Sequence, residues 1–283
     1  MTATEQGKLK SLIEDGFCLF NQVLDAGMVD RIGAASDRLL DAQEAAHFEK
    51  NRSTGSMVSV FDEPAYAELI AWPGALEALR SLGYDRPNFM SGYVISKPPH
   101  SPPLFWHQDW FGWDHPHSYT PEPQQLFLMY YLVDTSSRNG CLRLIPGSHL
   151  KRHPVHDLME VAHNEEIQSA RDLSHPIYGE QPGEIDVCVR AGDLVIGDSR
   201  LLHSARANES DARRTVITLW YHPLFYGLPE PMQAHLGKRR FDKSDWFAAL
   251  PAATQGSLLP LVPVFDGEAD PMEWSRTPTQ ELR

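Results

Sequence analysis

The sequence predicts a mainly β fold, a β sandwich or jelly roll, with helices on its flanks. Three observations carry that prediction. Short apolar runs of strand length follow one another from residue 93 to 221, each bounded by Pro, Gly, Asn or Asp. Proline makes up 22 of 283 residues, above the usual ~5%, which favours a loop-rich β fold over a helix bundle. Helical periodicity, in contrast, is confined to the flanks.

The elements follow in order. Residues 5–15 read as a short helix leading into a strand at Gly16-Phe-Cys-Leu-Phe20. Residues 25–46 carry Met28, Ile32, Leu39 and Leu40 at helical spacing, with Asp25 placed to cap the first turn. Residues 64–82 repeat the pattern with Leu69, Ile70, Leu76 and Leu79, and Pro73-Gly74 should split it into two short helices. Residues 1–86 are thus expected to be mostly helical. From 87 to 222 the runs at 93–97, 104–109, 125–133, 141–145, 185–190, 194–197 and 214–221 are expected strands. Arg138-Asn139-Gly140 and Ala191-Gly192-Asp193 are turn signals between runs. Residues 150–184 are polar and His-rich, and read as an excursion from the β core. Residues 223–283 read as an irregular C-terminal wrap with a short helix. No repeat or linker divides the chain, so a single domain over 1–283 is expected.

Composition narrows the function. The net charge of −13 is spread along the chain, and a surface this acidic repels phosphate backbones. Nucleic acid is not an expected partner. No apolar run approaches the ~18 residues that cross a bilayer, so no membrane partner is expected. The first residues show no basic segment ahead of an apolar one, and the expected location is cytoplasmic. Cys18, Cys141 and Cys188 are odd in number and lack CxxC spacing, which argues against a disulfide scaffold or a cysteine zinc site. Nothing in the sequence sets an oligomeric state.

The strongest chemical signal is Trp106-His107-Gln108-Asp109-Trp110. Residues i and i+2 of a strand share a face, so His107 and Asp109 would offer an imidazole and a carboxylate side by side. One more histidine would complete the 2-His-1-carboxylate facial set of non-haem Fe(II) oxygenases. His203, after the Gly192-Asp193-Leu-Val-Ile run, is the candidate. Arg213 and Arg214 open the apolar strand that follows. An arginine heading a buried strand needs an anionic partner, and its planar fork suits the end of a dicarboxylate. These residues leave three readings open: a metal oxygenase using a dicarboxylate cosubstrate, a cupin-like metal enzyme without one, and a non-catalytic β-sandwich binding module.

His107-x-Asp109, Asn139-Gly140-Cys-Leu, Pro146-Gly147-Ser148-His149, Gly192-Asp193-Leu-Val, His203 and Arg214 occur together in that order. In this the chain resembles the phytanoyl-CoA dioxygenase (PhyH) family over about residues 90–222. The resemblance implies a double-stranded β-helix core and an Fe(II)- and 2-oxoglutarate-dependent dioxygenase. It implies His107, Asp109 and His203 as iron ligands and Arg214, eleven residues beyond His203, as the clamp on the cosubstrate's distal carboxylate. It further implies a cosubstrate pocket lined from Ser91, Tyr93 and Lys97 and from Met129–Tyr131, with Tyr130 at its centre. His149 would belong to a structural turn. An intact carboxylate at Asp109 favours oxygenation over halogenation. O2 and 2-oxoglutarate would be converted with hydroxylation of a C–H bond, leaving succinate and CO2.

Trp110, Phe111 and Trp113 follow the metal motif closely and are the expected substrate-binding wall, suited to an apolar or cyclic small molecule. An acyl-CoA fits an acidic chain poorly. The basic runs Lys151-Arg152 and Lys238-Arg239-Arg240 are expected on the solvated surface.

Overall fold

The computed structural model describes residues 2–238 and 240–282, so Arg239 of the second basic run lies outside the described residues. Lys151 and Lys238 are exposed, as expected.

Helix α1 (Ala3–Glu14) starts at a reciprocal Thr2/Glu5 capping box and leads into β1 (Phe17–Phe20). Asp25 caps α2 (Ala26–Asp41) by accepting from the Met28 amide at 2.7 Å. Met28, Ile32, Ala35 and Leu40 form its buried stripe. A short α3 (Ala45–Lys50) and strand β2 (Met57–Ser59) follow. The split at Pro73 is present: α4 is Tyr66–Ile70 and α5 is Pro73–Ser81, with proline in the first turn where its missing N–H costs nothing.

The strands then run β3 (Asn88–Lys97), β4 (Leu126–Tyr131), β5 (Leu142–Leu144), β6 (Ile185–Val187), β7 (Leu194–Asp198), β8 (His203–Ala205) and β9 (Arg214–His222). They form two antiparallel sheets, a six-stranded one in the order β1-β7-β4-β9-β3-β2 and a three-stranded one in the order β6-β5-β8. The strands build the core, although more residues lie in helices and helical turns than in strands.

The period-two alternation of the large sheet separates two cores. On β4, Leu126, Leu128 and Tyr130 face the N-terminal helices, with Met28, Ile32, Leu69 and Leu79. Phe127, Met129 and Tyr131 face the space between the sheets, with Leu142, Leu144 and Val216. The stretch 104–109, expected as a strand, joins no continuous ladder. Pro98, Pro99, Pro102 and Pro103 precede it and cannot donate to a ladder. It meets β8 at the isolated bridge between His107 and His203, through Leu104 N–H to the Ala205 carbonyl at 3.0 Å, and through Ser204 Oγ, which donates to the Leu104 carbonyl at 2.7 Å.

The excursion at 150–184 folds back as a packed cover. It contains α6 (Glu165–Gln168) and short 3-10 turns. Val155, Met159, Ile167 and Ile177 close a third apolar cluster over Phe105, Trp106, Ile145 and Leu202. The C-terminal part carries α7 (Glu230–Leu236), α8 (Asp245–Ala248) and α9 (Ala252–Leu258). Among the described residues no helix is long and apolar enough to cross a membrane.

Candidate metal centre and its cavity

His107 and His203 are cross-strand partners, each amide donating to the other's carbonyl at 3.0 and 2.9 Å. Their rings lie 4.0 Å apart between centroids. Two residues on, the chain turns where the Asp109 and Trp110 amides both donate to the Ser199 carbonyl, at 2.8 and 2.9 Å. That turn brings the Asp109 carboxylate under both rings. One oxygen is 3.7 Å from His107 Nε2 and the other 3.7 Å from His203 Nε2. The three side chains offer ligand atoms all within 4.8 Å of one another.

The neighbours fix the chemistry of those atoms. His107 Nδ1 faces the Phe105 carbonyl at 3.1 Å, and His203 Nδ1 faces the Leu201 carbonyl at 3.0 Å. A carbonyl only accepts, so each Nδ1 carries the proton and each Nε2 keeps a lone pair for a metal. Burial, then the neighbouring His203 and His163, hold the His107 pKa well below the usual imidazole value, so it stays neutral. Trp220 Nε1 donates to an Asp109 oxygen at 2.8 Å, and such a partner orients a ligating carboxylate.

Arg214 begins β9 and is buried, and its Nε has no hydrogen-bond partner. Among the described residues no carboxylate pairs with it. A buried guanidinium left open in this way fits an anion supplied from outside the chain. The adjacent Arg213, in contrast, is partly exposed and pairs with Asp37 and Asp41.

A cavity, partly open to solvent, joins the His-Asp-His set to Arg214. Alternate residues of β9, namely Arg214, Val216, Thr218 and Trp220, line one wall. Ile95, Met57, Met129, Tyr131 and Leu142 add to it, and Thr54, His163 and Gln168 complete the lining. His163 comes from the cover, with its ring edge-on to His107 at 5.4 Å and its Nε2 3.4 Å from the Gln108 carbonyl. Burial lowers the His163 pKa to about 3.

The structure therefore brings His107, Asp109, His203 and Arg214 together, while the other expected site residues lie elsewhere. Tyr130 has the wrong parity. It points into the helical core, and Met129 and Tyr131 reach the cavity instead. Lys97 pairs with Arg214 in register, but its ammonium donates to the Ser53 carbonyl at 3.0 Å and to the Pro102 carbonyl. Tyr93 lies outside the cavity lining, edge-on to Trp220 at 5.9 Å. Trp110, Phe111 and Trp113 are fully buried in the core between the sheets and do not line the cavity. Trp110 Nε1 is held by Ser118 Oγ at 2.8 Å, and Phe111 stacks on Trp274 at 3.8 Å. Trp220 and Thr218 could have been found by counting in twos from Arg214. His163 and Gln168 carried no sequence signal, because the cover's return to the site is a tertiary event.

A facial His-Asp-His set beside an unpaired buried arginine, inside two antiparallel sheets, defines the class of non-haem iron oxygenases. Residues 12–216 match the sequence model of phytanoyl-CoA dioxygenase (PhyH), and the chain belongs to that family, whose members depend on Fe(II), 2-oxoglutarate and O2. It is similar to an ectoine dioxygenase of Nocardia farcinica (strain IFM 10152), 24% identical over 260 residues that cover 83% of this chain and 85% of the relative. A phytanoyl-CoA dioxygenase 1 of Oryza sativa subsp. japonica is 29% identical over 161 residues, 56% of this chain and 52% of that protein. Two solved structures share the fold. The epimerase SnoN in complex with Fe3+, alpha ketoglutarate and nogalamycin RO has a TM-score of 0.57 at 23% identity, over 78% of this chain and 84% of that one. HygX from Streptomyces hygroscopicus, with nickel and 2-oxoglutarate bound, has a TM-score of 0.57 at 20% identity, over 80% and 88%.

Proposed function

We propose that the protein is an Fe(II)- and 2-oxoglutarate-dependent hydroxylase of a small, uncharged and largely apolar metabolite. The observation that carries this reading is the pairing of the His107-Asp109-His203 set with Arg214, a buried cation whose Nε has no hydrogen-bond partner and which no carboxylate pairs among the described residues.

His107 and His203 would hold iron through Nε2, each ring kept in the right tautomer by a backbone carbonyl two residues upstream. Asp109 would complete the face, steadied by Trp220. Bound iron supplies O2 activation coupled to oxidative decarboxylation of 2-oxoglutarate, which leaves succinate and CO2 and places a hydroxyl on the substrate. Arg214 would clamp the distal carboxylate of 2-oxoglutarate, and the desolvated wall of Val216, Leu142 and Met129 strengthens that attraction. Ile95, Leu104, Phe105 and Met57 would exclude water from the reacting carbon.

The substrate class rests on what surrounds the metal. Thr54, His163, Gln168 and Ser204 are the polar lining groups other than the His-Asp-His set and those on β4 and β9, and burial keeps His163 uncharged. A neutral molecule with few polar groups suits that lining. The names of similar proteins, an ectoine dioxygenase and an epimerase crystallised with nogalamycin RO, also point to small molecules. The chain is read as one catalytic domain, supported by an apolar cluster that runs from Leu12 to Val262. Its free cysteines support a reducing, cytoplasmic setting.

The test is anaerobic addition of Fe(II) and 2-oxoglutarate to the metal-free protein. A weak visible charge-transfer band, with metal-dependent formation of succinate in air, is the expected result. Absence of both would sink the reading. Iron binding without the 2-oxoglutarate band would point to a metal enzyme that uses no cosubstrate.

A further inference from the structure

Two of the three cysteines, 47 positions apart in sequence, meet in the small sheet. Leu142 of β5 pairs with Val187 of β6 in antiparallel register, so the next pair outward is Cys141 opposite Cys188. Directly opposed residues of an antiparallel pair have Cα atoms about 4.5–5.5 Å apart, inside the ~4.4–6.8 Å span that a disulfide requires. The two thiols are close enough for Cys188 to raise the Cys141 pKa, after burial and Asp186. Cys188 is exposed, and Cys141 is buried beneath it.

Cys141 also sits beside the cavity's cation. Its neighbour Gly140 has φ +87°, and a Cβ built there would lie 3.1 Å from Lys97 Cδ, 3.2 Å from the Arg206 carbonyl and 3.4 Å from Arg214 Nε. The backbone at Gly140 therefore passes within about a side chain's width of Arg214 Nε, with Lys97 and Arg206 beside it. A movement of Cys141 toward Cys188 would be felt there.

We propose that Cys141 and Cys188 form a reversible disulfide under peroxide, and that closing it loosens 2-oxoglutarate binding at Arg214. The second half rests on the functional reading above. In the first step the Cys188 thiolate attacks the O–O bond of hydrogen peroxide, giving a sulfenic acid and releasing hydroxide, which takes up a proton as water. Cys141 then attacks that sulfur. The S–S bond forms, the S–OH bond breaks, and a second water leaves with the Cys141 proton. Each sulfur is oxidised by one electron, and the peroxide is reduced to two waters. Burial raises the Cys141 pKa to about 12, which makes exposed Cys188 the first to react and Cys141 the resolving partner. Cys18, buried in the large sheet, serves as an internal control.

The experiment treats the full chain with hydrogen peroxide, maps peptides without reductant, and titrates 2-oxoglutarate with Fe(II) under anaerobic conditions before and after dithiothreitol. The expected result is a Cys141–Cys188 peptide that is absent in Cys188→Ser, and a 2-oxoglutarate affinity lowered at least ~5-fold, the low end of coupling between sites, and restored by dithiothreitol. Cys188→Ser, altered at an exposed position, should keep full affinity under peroxide. A Cys188 oxidised to sulfinic acid without a link, or a link to Cys18, overturns the pairing. A correct link with unchanged affinity overturns the coupling. If reduced protein fails to bind 2-oxoglutarate, the functional reading falls, and the peptide map alone judges the disulfide.

Discussion

The two ends of the cavity are built on different kinds of backbone. Arg214 starts β9, a strand paired on both sides, with β3 from Lys97 to Asn88 and with β4 from Tyr131 to Leu126. His107 and Asp109 lie on a proline-preceded stretch with one isolated bridge and a pair of amides sharing the Ser199 carbonyl. The anion clamp is thus anchored by a regular ladder, while two of the three metal-face residues, His107 and Asp109, are held by single contacts against ladder-borne His203 and closed by the cover at 150–184. A ladder fixes side-chain direction by parity alone. An irregular segment needs its partners, and the metal itself, to hold its shape.

The largest effect should come from removing a ligand. His107→Ala or Asp109→Ala should abolish stoichiometric Fe(II) binding and lower succinate formation more than ~100-fold, beyond what loss of an outer partner causes. Metal analysis and turnover would measure this, and an Asp109→Ala protein with unchanged iron affinity would break the contrast between the two ends. Next, Arg214→Leu should keep its iron, because the ladder does not need the guanidinium. It should lose 2-oxoglutarate affinity by ~2–5 kcal/mol, the cost of truncating one member of a buried charge pair. Calorimetry with Fe(II) present separates the two.

A finer cut tests how the ladder supports the metal face. Trp220→Phe removes the N–H that steadies Asp109, together with part of the indole on the cavity wall, and should weaken Fe(II) binding ~10-fold with 2-oxoglutarate affinity little changed. The last test concerns the cover. His156 is buried there, and burial lowers its pKa to about 4 from 6.5. The unfolded chain therefore takes up the proton first. Stability is whole above about pH 6.5 and falls as pH drops toward 4, by up to ~1.4 kcal/mol per pH unit from this group. His156→Gln should flatten that slope in denaturant titrations of the metal-free protein. If the slope is unchanged, acid does not act on the cover through this residue.

The same contrast explains what the sequence could reveal. Capping by Asp25, the break at Pro73 and the strand β9 are local signals, and each appears where expected. His107, Asp109, His203 and Arg214 were legible because their order and spacing are set by the fold's topology. The choice of Tyr130 failed by one position, since parity depends on register and a slip of one residue exchanges the faces. Trp110, Phe111 and Trp113 were misplaced because nearness in sequence to Asp109 is not nearness to the cavity after the turn at Ser199. The cover's contribution, His163 and Gln168, depends on long-range packing that no local pattern encodes.

The bridge between His107 and His203 has a topological consequence. One ion held by both residues would cross-link the chain across a loop of roughly 100 residues, a closure that in a covalent bridge restricts the unfolded chain by about 4.7 kcal/mol. The metal would then act as a removable staple joining the proline-rich segment to β8. Chelation should lower the melting temperature of the whole β core, not only silence the site.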